Sequence, residues 1–204
     1  DAVLAGNAKA AVAVTKEAVD AGVDPQVLLD EYMIPAMDEV GRRFEANECF
    51  VPELLISARA MKGAVEIIRP LLSTAGAEPV GRVVIGTVQG DLHDIGKNLV
   101  AIMLEGGGFE IIDVGVDANA DKFIDAINAK KPHIVALSAL LTTTLPSMKN
   151  IIDRMSQAGV RSQVKVIIGG APVTQDFADE IGADGYSDNA GAAVTLARRL
   201  LGLN

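Results

Sequence analysis

The chain has 204 residues, half of them apolar and only 3% aromatic, with a formal net charge of −9. That length builds one large domain or two small ones, and without Trp the interior must be filled by Val, Ile, Leu, Ala and Met. The acidic balance excludes a nucleic-acid partner, which needs a basic surface, and equally an anionic membrane surface. The lone cysteine, Cys49, forms no internal disulfide and suits a reducing cytosol. No apolar run approaches the roughly 20 residues of a membrane span, and no secretory signal is visible. A cytoplasmic location is therefore expected. The chain opens at Asp1 without Met, directly in a helical pattern, so further residues are expected to precede it.

Residues 1–75 carry helical periodicity and no strand signal. Ala8, Ala11, Val12, Thr15 and Val19 share one face. Gly22 stops that helix, and Asp24-Pro25 starts the next as N-cap and first helical residue. The pattern from Val27 to Ala46 is interrupted by Pro35, which lacks an amide donor. A short helix followed by a longer one is expected there, with Ile34, Met37, Val40 and Phe44 facing inward. Asn47-Glu48 is a turn. Pro52-Glu53 opens a further helix with Leu54, Leu55, Ala58, Met61, Val65 and Ile68 on its apolar face, closed by Arg69-Pro70 and the stretch Ser73 to Pro79. The expectation is a bundle of about four helices over 1–75. A linker at 76–80 then leads to a second domain over 81–204, because small residues, Gly and Pro separate two regular patterns.

Beyond the linker, strands and helices alternate. Candidate strands are 82–88, 109–114, 133–138, 164–169 and 184–187. Candidate helices are 95–106, 119–130, 145–158, 173–182 and 189–201. Val/Ile-rich runs of this kind are strands buried on both faces. Five strand–helix units predict a doubly wound parallel sheet, flavodoxin-like or Rossmann-like, in the order 2-1-3-4-5. Neither half shows an internal repeat.

Ligands in this fold bind beyond the carboxyl ends of the strands. Three loops stand out at that edge. Gly90 to Gly96 follows the first strand and carries His93, one of only two histidines, with Asp91 placed to orient its ring. Ser138 to Thr144 follows the third strand and is rich in hydroxyls. Gly169-Gly170 follows the fourth and lets a ligand lie against bare backbone. Singly, each has a plainer reading: a solvated histidine, turn and cap chemistry, a tight turn. His133, after Lys131-Pro132, takes the plainer reading outright. The joint spacing lifts the three loops. Asp91-x-His93-x-x-Gly96 is followed by 41 residues, then Ser138-x-Leu140, then 28 residues, then Gly169-Gly170.

With these motifs the chain resembles the cobalamin-binding domains of methionine synthase and of corrinoid methyltransferase proteins; related domains occur in adenosylcobalamin mutases. Pro35-Ala36-Met37-x-x-Val40-Gly41-x-x-Phe44-Glu45 and Phe50-Val51-Pro52-Glu53-Leu54 resemble the helical cap of the corrinoid methyl carriers, so the likeness covers nearly the whole chain. It implies a cobalamin or related corrinoid bound base-off and His-on, with the dimethylbenzimidazole tail detached from cobalt and buried in the sheet domain. His93 would then be the lower axial cobalt ligand and Asp91 its hydrogen-bond partner. Thr144, six residues after the motif Ser, would complete a His–Asp–hydroxyl relay. Asp94, Ile95, Gly96, Ser138, Leu140, Thr142, Gly169 and Gly170 would contact the cofactor, with Ser138 and Thr142 facing the tail base. Phe50, Leu54 and Met61 are candidates for an apolar cover over the upper face, set against the reading that they are ordinary bundle core.

The likeness also implies a methyl carrier that is not catalytic alone. A substrate-specific corrinoid methyltransferase would load it from a methylamine, methanol, a betaine or a methoxyaromatic. An acceptor methyltransferase would pass the methyl to a thiol or pterin, and a reductive activase would restore the metal. Alternatives are a fragment of methionine synthase or of a mutase, a cobalamin-dependent transcriptional sensor, and a receiver-like domain without cobalt. A mutase would have no helical cap directly upstream. Sensors add a basic DNA-binding domain and typically a bundle Trp, and neither stands in these residues.

Overall fold

The computed structural model describes residues 1–74 and 79–203, which form two compact units. One comprises Asp1–Val80 with Ile102–Gly108; the other comprises Gly81–Ala101 and Phe109–Asn204. Of the expected linker, residues 75–78 lie outside the described residues. Among the described residues no helix is long and apolar enough to cross a membrane.

The helical unit begins with α1 (Ala8–Asp20), capped by Asn7, whose side chain accepts the Ala10 amide at 3.0 Å. It ends at Gly22 in the left-handed region, as the sequence predicts. Asp24 caps the short α2 (Pro25–Val27). The chain does not break before Pro35. It stays helical through a π-helical stretch, Leu28–Met33, and enters α3 (Ile34–Glu45) with Pro35 in the first turn. The Ile34 amide bonds back to the Leu29 carbonyl in the wide π register, and the donor missing at Pro35 costs little because Asp30 and Glu31, one turn back, are exposed to water. Met37 and Val40 are buried as expected, whereas Ile34 and Phe44 are half-buried.

The last helix, α4 (Val51–Thr74), runs past Pro70 rather than closing there. Pro70 removes one amide donor near the helix end, where it and Glu66 are both exposed, so the cost is small. At the other end Glu53 accepts the Phe50 amide at 2.6 Å, the N3 half of a capping box. Leu54, Ala58, Met61 and Ile68 are buried, together with Ser57, Ala60 and Ala64. Leu55, expected inward, is exposed, and Val65 is half-buried. Small residues at 57, 58, 60 and 64 shift the buried stripe around the helix and leave Leu55 on its rim.

In the α/β unit the strands are β1 (Gly81–Thr87), β2 (Phe109–Asp113), β3 (Ile134–Ser138), β4 (Lys165–Gly169) and β5 (Gly185–Ser187). They pair in parallel in the order β2-β1-β3-β4-β5, as expected. The helices α5 (Ile95–Gly106), α6 (Ala120–Lys130), α7 (Leu145–Gln157), α8 (Gln175–Ile181) and α9 (Ala190–Leu200) each lie within two residues of their predicted bounds. Asn119, Thr174 and Asn189 supply side-chain N-caps for α6, α8 and α9. Val83, Val84, Ile134, Val135 and Val166 are fully buried, so the sheet centre is apolar on both faces. Gly86 lies under α6: a Cβ there would come within 2.4 Å of Val114 Cγ2 and 2.8 Å of Phe123 Cζ. His133 accepts the Arg82 amide on Nδ1 at 2.9 Å, which satisfies the plainer reading of that residue.

The register decides which loops meet. Thr87 pairs with Ser138, Ser138 with Gly169, and Gly169 with Ser187. The ends of β1, β3, β4 and β5 thus form one row, and the three loops singled out by spacing leave it side by side.

Candidate metal-ligand site

The first loop starts with a tight turn. The Asp91 amide donates to the Val88 carbonyl at 3.1 Å, and Gly90 takes φ +86°, which a type II turn requires of its third residue. The turn sends the Asp91 side chain inward, where it is fully buried. Its Oδ1 accepts the His93 amide at 3.0 Å and lies 2.7 Å from His93 Nδ1. Its Oδ2 accepts the amides of Leu140 at 2.8 Å and Leu141 at 3.2 Å and the Thr144 hydroxyl at 2.9 Å. Thr144 Oγ1 is also 2.8 Å from the Leu141 carbonyl, so its one proton serves the carboxylate and the carbonyl in turn.

Burial pushes the Asp91 carboxyl up. The amides of His93 and Leu140, the His93 ring and the Thr144 hydroxyl outweigh that and hold it well below the usual carboxylate range. Asp91 is therefore an anion at neutral pH. It fixes the Nδ1–H tautomer of the His93 ring and leaves Nε2 as the nitrogen for a further ligand. The imidazole itself is 50% exposed. A second tie comes from Thr87, whose hydroxyl donates to the His93 carbonyl at 2.8 Å.

Leu140 is exposed beside the site and is tied in through its amide. Ile95 (81% exposed) and Leu92 (71%) stand on the His93 loop, and Leu140 and Leu141 on its neighbour, so apolar surface lies on both loops that hold the imidazole. Asp94 is exposed and accepts Asn98 Nδ2 at 3.1 Å; Thr142 is exposed in a 3₁₀ turn, Thr142–Thr144. Ser138 is half-buried at the end of β3.

Gly96 faces open space, with no atom within 4 Å of a Cβ built there. Gly170 does not. Its φ is +134°, and a Cβ would lie 1.8 Å from the Ala139 carbonyl oxygen. A Cβ on Gly169 would meet the Ser187 carbonyl at 3.1 Å. The packing of neighbouring strand ends therefore already demands the Gly-Gly pair. Of the three cover candidates, Leu54 and Met61 are core residues of the helical unit and Phe50 is 65% exposed.

Sequence reading missed the amide of Leu141, the hydroxyl of Thr87 and the carboxylates of Asp113 and Asp117. A backbone amide has no sequence signal. Thr87 had one: it is the sole hydroxyl in the apolar run Gly81–Thr87.

A carboxylate-oriented imidazole beside exposed apolar surface suits a metal held by a flat macrocycle, since His93 offers a single ring nitrogen and the rest of the coordination must come from elsewhere.

Comparison with known proteins gives the same direction. A family model described as a B12 binding domain matches residues 81–195, and a second model of that description matches residues 1–69. Trimethylamine corrinoid protein 1 of Methanosarcina acetivorans is 42% identical over 203 residues, covering 98% of this chain and 94% of its own. Dimethylamine corrinoid protein 1 of the same organism is 41% identical over 194 residues, covering 95% of this chain and 91% of its own. Among solved structures, the methanol:cobalamin methyltransferase complex of Methanosarcina barkeri superposes with a TM-score of 0.87 at 31% identity, covering 98% of this chain and 77% of the matched one.

Proposed function

Because this chain belongs to the B12-binding family of corrinoid proteins, we propose that it is the methyl carrier of a methylamine-type methyltransferase system, with its corrinoid bound base-off and His93 as the lower ligand. The observation that carries the reading is the buried Asp91 carboxylate 2.7 Å from His93 Nδ1, with Thr144 on its other oxygen. The names of the relatives in the two preceding comparisons, trimethylamine and dimethylamine, support a methylamine as the donor class.

When bound, the corrinoid supplies the cobalt on which a methyl group is taken up and given away. The chain's own residues orient and tune. Asp91 holds the Nδ1 proton of His93, so the ring would present Nε2 to the metal in a fixed orientation. Thr144 donates a hydrogen bond to Oδ2 and steadies the carboxylate in that position. Leu92, Ile95, Leu140 and Leu141 would shield the bound macrocycle from water, Ser138 and Thr142 would contact its tail base, and Gly96 would leave room for its approach.

A substrate-specific methyltransferase loads the carrier, an acceptor methyltransferase unloads it to a thiol or pterin, and a reductive activase restores it. The division into a cap (1–75), linker (76–80) and cobalamin domain (81–204), and a cytoplasmic location, belong to the same proposal.

Two measurements test it. In extracts of the native host, the chain is supplied with hydroxocobalamin and a reductant, and methyl-labelled trimethylamine, dimethylamine and methanol are added in turn. Label should reach the chain from a methylamine; label from none of the three overturns the carrier reading. The paramagnetic reduced form should show nitrogen hyperfine coupling that changes on isotope labelling of histidine and is lost in His93→Ala. Coupling that persists in the variant removes His93 as the ligand.

A further inference from the structure

Resting on the reading of His93 as ligand, we propose that the turn between β2 and α6 is the brace that sets this ligand, with Asp117 as its positioning residue. The chemistry of the site hangs on the backbone of Gly90 to His93, and a short polar loop holds its shape only where its peptide groups are tied down.

Asp117 ties two of them, one on each side of the Gly90–Asp91 peptide. The Gly90 amide donates to Asp117 Oδ1 at 2.8 Å, and the Asp117 amide donates to the Asp91 carbonyl at 3.0 Å. The backbone of Gly90 and Asp91 lies between those bonds. A shift of the Asp91 Cα strains one of them, and any shift passes through the carboxylate to His93 Nδ1. Asp117 makes both bonds from the left-handed region, at φ +48°. A residue with a Cβ pays for that conformation, Asp less than most, and Gly nothing. What Gly lacks is the acceptor that Gly90 uses.

The same turn holds the other end of the loop. Asp113 accepts the ammonium of Lys97, which is only 3% exposed, and its second oxygen accepts the Gly115 amide at 2.8 Å. Lys97 also donates to Asn98 Oδ1 at 2.7 Å, and Asn98 Nδ2 donates to Asp94, the residue after His93. Two carboxylates from one turn thus grip the His93 loop before and after the imidazole, and neither hydrogen-bonds to His93 itself.

The test compares Asp117→Gly with Asp117→Asn. Glycine keeps the backbone conformation and removes the acceptor; asparagine keeps both. In the cofactor-free protein, Asp117→Gly should speed hydrogen exchange of the Gly90 amide about fivefold, the factor that one hydrogen bond of ordinary net strength represents, and Asp117→Asn should not. In the corrinoid-loaded, reduced protein, the fraction showing histidine nitrogen coupling should fall in Asp117→Gly and return to the wild-type value in Asp117→Asn. Full coupling in Asp117→Gly, or loss of coupling in Asp117→Asn, overturns the positioning role. If the wild type shows no histidine coupling, the His93 reading itself fails and the positioning role goes with it; the exchange comparison then reports on the brace alone. Asp117→Asn is the safeguard should the glycine variant fold poorly.

Discussion

Asp91 accumulates five hydrogen-bond donors on two oxygens, and that density explains why a fully buried carboxyl remains an anion. Desolvation penalises the charge, but amides and a hydroxyl already oriented toward it replace the lost water without further reorganisation. Glu39 reaches a low pKa by another route. Arg42 and Arg43 hydrogen-bond to its carboxylate on the surface of α3 and bring it from 4.5 down to about 2. A depressed folded-state value means that the stability it contributes is present above 4.5 and is lost as the pH falls toward about 2. The group is solvent-exposed, so the contribution is small and sensitive to salt. Glu39→Gln should therefore lower the Tm slightly at pH 6 in dilute buffer, and the gap to wild type should close on acidification to about pH 2. Thermal melts of both proteins across that range check the sign, and added salt should shrink the gap at pH 6 as well.

The pairing of β1 with α6 shows why an element can be correct in sequence and still owe its position to one contact. Gly86 interrupts the run of Val and Ile in β1, and the space a side chain would take is filled by Val114 and the Phe123 ring. Phe123 is fully buried and packs from α6 against β1 at Gly86. Phe123→Ala should cost about 3–5 kcal/mol, measured by urea denaturation, because the backbone at Gly86 offers nothing with which to refill the cavity. The helical unit teaches the converse. Pro35 and Pro70 both read as breaks, yet α3 and α4 absorb them. Pro35 follows a π-helical stretch whose residues Asp30 and Glu31, one turn back, are exposed to water; Pro70 lies near an exposed helix end. Sequence pattern identifies a missing donor; the burial around it decides whether the helix stops.

For the molecule as a whole, the proposed cofactor makes stability depend on loading. A ligand that binds only the folded state at about a hundred times its Kd adds about 2.7 kcal/mol, which for a chain of this size corresponds to a rise in Tm of roughly 5–10 °C. Hydroxocobalamin should raise the Tm on that scale, and His93→Ala should lose part of the rise while melting close to wild type when unloaded. A scan with no shift on loading would speak against corrinoid binding altogether.

Much of this was legible in the order of residues. Period-2 and period-3.6 patterns, caps such as Asn119, Thr174 and Asn189, and unbroken Val/Ile runs record burial and hydrogen bonding within a few positions of one another, so strands, helices and sheet order could be read directly. The motif spacing marked Asp91 and His93, the family resemblance added Thr144, and the fold brought the three within hydrogen-bonding distance. Other features depend on contacts between distant segments, and no local pattern encodes those. The row of strand ends from Thr87 to Ser187 follows from register. The need for Gly170 comes from the Ala139 carbonyl across the sheet edge, and the burial of Leu54 but not Leu55 from where small residues let α4 settle. Asp117 sits 26 residues beyond Asp91 and was invisible until the chain folded back on itself, because a hydrogen bond is decided by where two groups end up and a sequence records only which groups exist.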